Sequence, residues 1–129
     1  MKDVFFILAV ILYVGCESSN QLVDPRLGEE IQLKLGETVT LERGDISITF
    51  KSLEEDSRCP HGAICIWIGN AKVLLQVLQS EIALNTTLEP REIKMGDYLI
   101  QLLEVNPYPI VDVEYKPENY SIKIMISKK

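Results

Sequence analysis

The sequence predicts an all-β fold, an antiparallel β-sandwich or partly open β-barrel of about eight strands. Three observations predict it. Short runs alternate apolar and polar residues with a period of two, turn signals built on Gly, Asn and Pro separate those runs, and Val and Ile fill them.

The first runs come after residue 28. Ile31, Leu33 and Leu35 alternate with Gln32 and Lys34, Gly36-Glu37 turns the chain, and Val39 and Leu41 alternate with Thr38, Thr40 and Glu42, which predicts a hairpin. Ile46, Ile48 and Phe50 keep the same period after Gly44-Asp45. Tyr120, Ile122, Ile124 and Ile126 are the clearest case, with Ser121, Lys123 and Ser127 opposite them. Each of these strands has one face to bury and one to wet. Residues 64–68 with 71–78, and residues 98–105, are apolar on both faces, so they are expected as central strands covered on both sides. Helix competes over residues 72–92, where KVLLQVLQSEIAL has tolerable helical spacing. The Val and Ile content, the short run before Asn85-Thr86-Thr87 and the β surroundings favour strand.

The N-terminus carries an address. Lys2 precedes an unbroken apolar run from Val4 to Val14, followed by the small Gly15 and then Cys16. This is the pattern of an export signal, and a Cys at the first mature position marks its bacterial lipoprotein version. Leu12-Tyr13-Val14-Gly15-Cys16 resembles a lipobox, with Tyr13 where that motif usually has Leu. Crossing the hydrocarbon takes about 20 apolar residues, and polar residues already begin at Glu17, so the run is too short for a permanent span. The expected organisation is a signal peptide over residues 1–15, lipidation at Cys16, a flexible tether over 16–27 containing Pro25, and a single β domain over 28–129. Acyl chains on Cys16 would then hold the protein at a membrane surface of the bacterial cell envelope.

The 129 residues carry 13 basic and 19 acidic side chains, a net charge of −6. That balance, with no cluster of Lys or Arg, argues against nucleic acid and against charge-driven adhesion to anionic lipid. Three cysteines would leave an odd thiol, but with Cys16 committed to lipid, Cys59 and Cys65 remain as a disulfide pair in an oxidising compartment. The seven-residue ring it closes contributes about 2.4 kcal/mol in the chain-entropy account. The spacing is not the C-x-x-C of a redox device.

The segment Glu54-Glu55-Asp56-Ser57-Arg58-Cys59-Pro60-His61-Gly62-Ala63-Ile64-Cys65-Ile66-Trp67-Ile68-Gly69-Asn70-Ala71 is the densest in chemistry. It resembles a group of small bacterial secreted proteins and lipoproteins that share an E-D-S-R-C-P-x4-C-x-W-x-G-x-A core, and the strand and Pro-containing loop over 98–109 look like that group too. The resemblance implies a fold and an envelope address and no activity. Physically, the segment reads as a strand entering a disulfide-closed loop and leaving as another strand. Trp67, two residues beyond Cys65, falls on the same strand face, where its ring is expected to cover the bridge. Gly69-Asn70 suits a turn or bulge. Arg58 is expected to make surface ion pairs with Glu54, Glu55 or Asp56, worth about 0 to 1 kcal/mol.

Catalytic and metal readings find little support in the sequence. Asp56, Cys59, His61 and Cys65 are four donors within ten residues, yet they match no closed zinc module, and oxidised cysteines do not ligate; no metal or other cofactor is expected. The single histidine, His61, is expected as a solvated loop residue beside the disulfide, with no second base for a nucleophile. Glu54, Glu55 and Asp56 are consecutive and so alternate in direction, as solvated residues do.

Residues 105–119 link two strong strands and carry two tyrosines and three prolines. A loop of this length with rigid aromatic and proline surface suits binding, with Tyr108, Pro109 and Tyr115 as candidate contacts. The plainer expectation is that Tyr108, Ile110 and Val113 fold back to cap the core, part of the loop forming another strand. Two motifs are discounted. Arg43-Gly44-Asp45 is ordinary turn chemistry between strands, and the acceptor pattern Asn85-Thr86-Thr87 means little if the source is bacterial, as the lipobox suggests. The sequence thus points to a lipid-anchored envelope protein, a non-catalytic binding or interaction module with an unspecified protein or small-molecule partner. The alternative is a secreted enzyme or enzyme inhibitor that uses the Tyr108 loop or the loop of residues 58–61.

Overall fold

The computed structural model describes residues 26–128. The expected signal peptide, Cys16 and most of the expected tether lie outside the described residues. Eight strands run in order: β1 (Glu30–Lys34), β2 (Thr38–Leu41), β3 (Ile46–Asp56), β4 (Ala71–Val77), β5 (Ser80–Asn85), β6 (Glu92–Met95), β7 (Tyr98–Asn106) and β8 (Ser121–Lys128). They form two antiparallel sheets, ordered β1-β8-β7-β6 and β2-β3-β4-β5, packed face to face as a sandwich and not closed into a barrel.

Alternation does the work that the sequence promised. Ile46, Ile48 and Phe50 of β3, Val73, Leu75 and Val77 of β4, and Ile122, Ile124 and Ile126 of β8 point into one core between the sheets. The segment 72–92 is strand, turn and strand as favoured, with β4 paired to β5 from Lys72–Asn85 to Val77–Ser80. In β7 the pairing to β8 shifts between Leu102 and Glu104. That irregularity turns Leu103 and Glu104 outward and brings Val105 back into the core.

Two expectations are corrected. β1 and β2 are not a hairpin: β1 pairs with β8 in one sheet and β2 with β3 in the other. The crossing falls between adjacent residues, because the Leu35 N–H bonds to the Tyr120 carbonyl and the Gly36 N–H to the Phe50 carbonyl. Gly36 has φ of 86°, a left-handed conformation that suits a corner and costs glycine little. The second correction concerns residues 64–68, which are not a central strand. They belong to the connection between β3 and β4, outside both sheets.

The two ends of the sandwich differ. At one end the turns around Asp45, Leu78 and Asp97 are short, and the chain enters there, with the Gly28 N–H bonded to the Ile126 carbonyl at 2.8 Å. At the other end lie three longer connections: residues 57–70, 86–91 and 107–119.

Candidate interaction surface at the loop end

The connection between β3 and β4 begins as an extension of their pairing. Beyond the Asp56–Ala71 pair, the Ser57 N–H bonds to the Asn70 carbonyl at 2.7 Å and the Cys59 N–H reaches the Ile68 carbonyl at 3.5 Å. The hairpin therefore projects past the end of the sandwich, and Cys59 and Cys65 are joined across it as expected, with Cα atoms 5.9 Å apart. Gly69 makes the close approach possible. Its φ is 76°, and a Cβ there would meet the Ser57 carbonyl oxygen and the Arg58 Cα, both backbone atoms that cannot swing away.

Arg58 is the tie between this overhang and the last loop, and here the structure corrects the surface-pair expectation. The residue is 8% exposed. Its Nε and one terminal nitrogen each donate to an oxygen of Asp56 at 2.8 Å, a two-point clamp. Its other donors reach the carbonyls of Val105 at 2.6 Å and Pro107 at 3.1 Å. The guanidinium also lies 5.0 Å from the centre of the Tyr108 ring, and His61 packs on the same ring at 4.5 Å. Backbone bonds complete the seam: His61 N–H to the Pro109 carbonyl, and Val111 N–H to the His61 carbonyl. Arg58 is the buried member of this pair and the Asp56 side chain is 14% exposed, so the costly loss is the one that strands the guanidinium, about 3–5 kcal/mol for a fully buried ion.

Asn70, buried at the base of the overhang, ties in the third loop. Its Nδ2 donates to Asn85 Oδ1 at 2.8 Å, and its Oδ1 accepts from the backbone N–H groups of Thr87 and Leu88. Asn85 in turn donates to the Pro90 carbonyl. The carboxamide in the acceptor pattern is therefore buried and engaged inside the protein, in line with the discounting of that motif.

Because the polar seam takes up the base, the apolar side chains of the overhang stand in solvent. Ile66 is 96% exposed, Ile68 77% and Trp67 60%, with Ile64 fully exposed beside them. Contrary to expectation, Trp67 does not lie on a strand, and it is more exposed than buried. The Tyr108 loop is likewise not folded into the core. Ile110, Val111 and Val113 are all exposed, and part of the Tyr108 ring is too. Only one bridge, Ile110 to His61, pairs this loop with the overhang, so the expected extra strand is replaced by a seam. Of the three candidate contacts, Tyr108 is clamped between Arg58 and His61, Pro109 is half-buried with its carbonyl engaged, and Tyr115 packs edge-on against Tyr120 at 6.3 Å. Burial, reinforced by the nearby Asp56 carboxylate and partly offset by Arg58, pushes the Tyr120 phenol above its usual range.

Both loops thus present exposed apolar side chains, and Arg58, His61 and Tyr108 join the loops at their base. Among the described residues no group of three His, Cys, Asp or Glu side chains is placed to hold a metal ion. A shallow cleft of about 230 Å³ lies at the foot of the overhang between Ile68, Thr87, Leu103 and Tyr108, with Glu104 as its one carboxylate. Sequence reasoning missed Ile64, Ile66 and Ile68 as surface residues and Arg58 and Asn70 as the groups that position them. No protein-family model, curated protein sequence or solved structure matches this chain.

Proposed function

We propose that this chain is a lipid-anchored protein of the bacterial cell envelope that acts without catalysis, as a binding or interaction module working through its loop end. One observation carries the reading: four large apolar side chains, Ile64, Ile66, Trp67 and Ile68, are held in water on a disulfide-closed overhang. Burying each on a partner is worth roughly 1.5–3 kcal/mol, and a soluble domain seldom leaves such a patch uncovered without an interaction to serve. The bracing supports the same reading. Arg58, Asn70 and the disulfide hold the surface before any partner arrives, which lowers the ordering cost of association. Glu104 is the single carboxylate of the cleft at the foot of the overhang, and the exposed isoleucines stand on a projecting hairpin where an active site is concave.

The address rests on the segment of residues 4–16 and is tested separately. Growth with a clickable fatty acid should label the full chain and leave Cys16→Ser unlabelled; labelling of neither form, or of both equally, removes the lipid anchor. The interaction reading is tested by affinity capture of the full chain from native membranes. The paired substitution Ile66→Ser with Ile68→Ser should lose the recovered partners, and an unchanged set of partners removes the loop end from the function.

A further inference from the structure

We infer that the overhang is a plug: it seats in a concave, apolar cleft of a partner protein whose margin is basic. This deepens the interaction-module reading and rests on it. Shape is the first argument. Ile64, Ile66, Trp67 and Ile68 crown a projecting hairpin, and a convex tip is covered fully only by a concavity, as when a long rigid loop inserts into a recessed epitope.

Charge is the second argument, and it selects the occupant. Exposed Glu54 and Glu55 stand at the base of the overhang, with Lys72 across the ladder from Glu55, and Asp112, Glu114 and Glu118 stand on the neighbouring loop with Lys116, five acidic side chains against two basic. An acidic collar around an apolar tip is repelled by the anionic surface of a membrane leaflet. It is equally repelled by a second copy of itself. A cationic margin around an apolar cleft complements it, and complementarity of this kind sets encounter rate and partner choice.

Direction is the third. The chain enters beside Ile126, whereas Ser121, at the opposite end of β8, pairs with Asn106 next to the loops. The five residue steps between them span about 17 Å along the strand. A tether attached at the entry end presents the plug away from the surface to which it is anchored.

The test uses the full chain in its native membranes, with a photo-crosslinking phenylalanine analogue in place of Ile66 and, as a control at the entry end, in place of Leu78. Position 66 should form an adduct with a protein and position 78 should not, and the linked peptide of that protein should line an apolar cleft. Reversing the collar with Glu54→Lys, Glu55→Lys and Glu114→Lys should lower the adduct yield at least about tenfold at low ionic strength, with the loss shrinking as salt is added. A thermal melt of the reversed variant coinciding with the parent shows that the loss is not unfolding. An adduct with lipid, an adduct with a second copy of the chain, or a yield that charge reversal leaves unchanged or raises would overturn the plug while leaving an interaction module standing. The absence of any adduct from position 66 would overturn both.

Discussion

Residues 64–68 and residues 71–77 are neighbouring apolar runs separated by Gly69-Asn70, and they meet opposite fates. In the second, every other side chain from Ala71 to Val77 is fully buried against the facing sheet. In the first, Ile64, Ile66 and Ile68 are almost wholly in water. Hydropathy does not separate them. What separates them is where the backbone ladder stops: β4 pairs on both sides, with β3 and with β5, whereas residues 64–68 sit beyond the last rung, carried past the end of the core by the hairpin they close. An apolar side chain is buried only if the strand beneath it reaches the other sheet.

The largest blow to this contrast comes from removing the brace. Arg58→Ala takes the guanidinium from Asp56, which keeps only the residue-58 backbone N–H at 3.3 Å, and from the Val105 and Pro107 carbonyls, and should cost about 3–5 kcal/mol in denaturant unfolding. Arg58→Lys should recover little of it. A single ammonium cannot clamp both oxygens of Asp56 and still reach two carbonyls on the other loop. A loss under about 1 kcal/mol in Arg58→Ala would mean that the overhang and the Tyr108 loop are not tied through this residue.

Next comes the buried run. Leu75→Ala, at a site with no exposure, should cost about 2–5 kcal/mol through lost transfer energy and the cavity left behind. The disulfide ranks third. Cys59→Ser with Cys65→Ser should lower stability by about 2.4 kcal/mol if the seven-residue ring constrains mainly the unfolded chain. Proteolysis within residues 60–64 should rise in that variant by more than elsewhere, since the ring is also what holds the tip.

Much of the architecture was legible. The two-residue period around Ile46, Ile48 and Phe50 and around Ile122, Ile124 and Ile126 fixes which face of each strand is buried, and the structure buries those faces. Cysteine bookkeeping found the bridge. What periodicity does not specify is the partner of a strand. β1 and β2 alternate as a hairpin would, yet a corner at Leu35 and Gly36 sends them to different sheets, because alternation reports a face and not a neighbour. The site was harder to read for a related reason. Ile64, Ile66 and Ile68 alternate as a core strand would, and the local pattern does not report whether that face meets the opposite sheet or water. Arg58 was visible beside three carboxylates, but its burial depends on Val105 and Pro107, 47 and 49 residues away. The Gly69-Asn70 step held a clue, since a glycine just before a strand often marks a place where backbones nearly touch.

The smallest expected effect on stability sharpens the comparison most. Ile66→Ser together with Ile68→Ser removes two large apolar side chains, the same class of change that in β4 would be ruinous. Here both side chains already face water in the folded and the unfolded chain alike, so the transfer term cancels and unfolding should shift by no more than about 0.5 kcal/mol. The partner complex should respond in the opposite way. Forgoing even half of the roughly 1.5–3 kcal/mol available from each isoleucine on burial loses about tenfold or more in affinity. A loss of stability comparable to that of Leu75→Ala would show that residues 64–68 are packed against the domain in solution, and the distinction between the two runs would vanish.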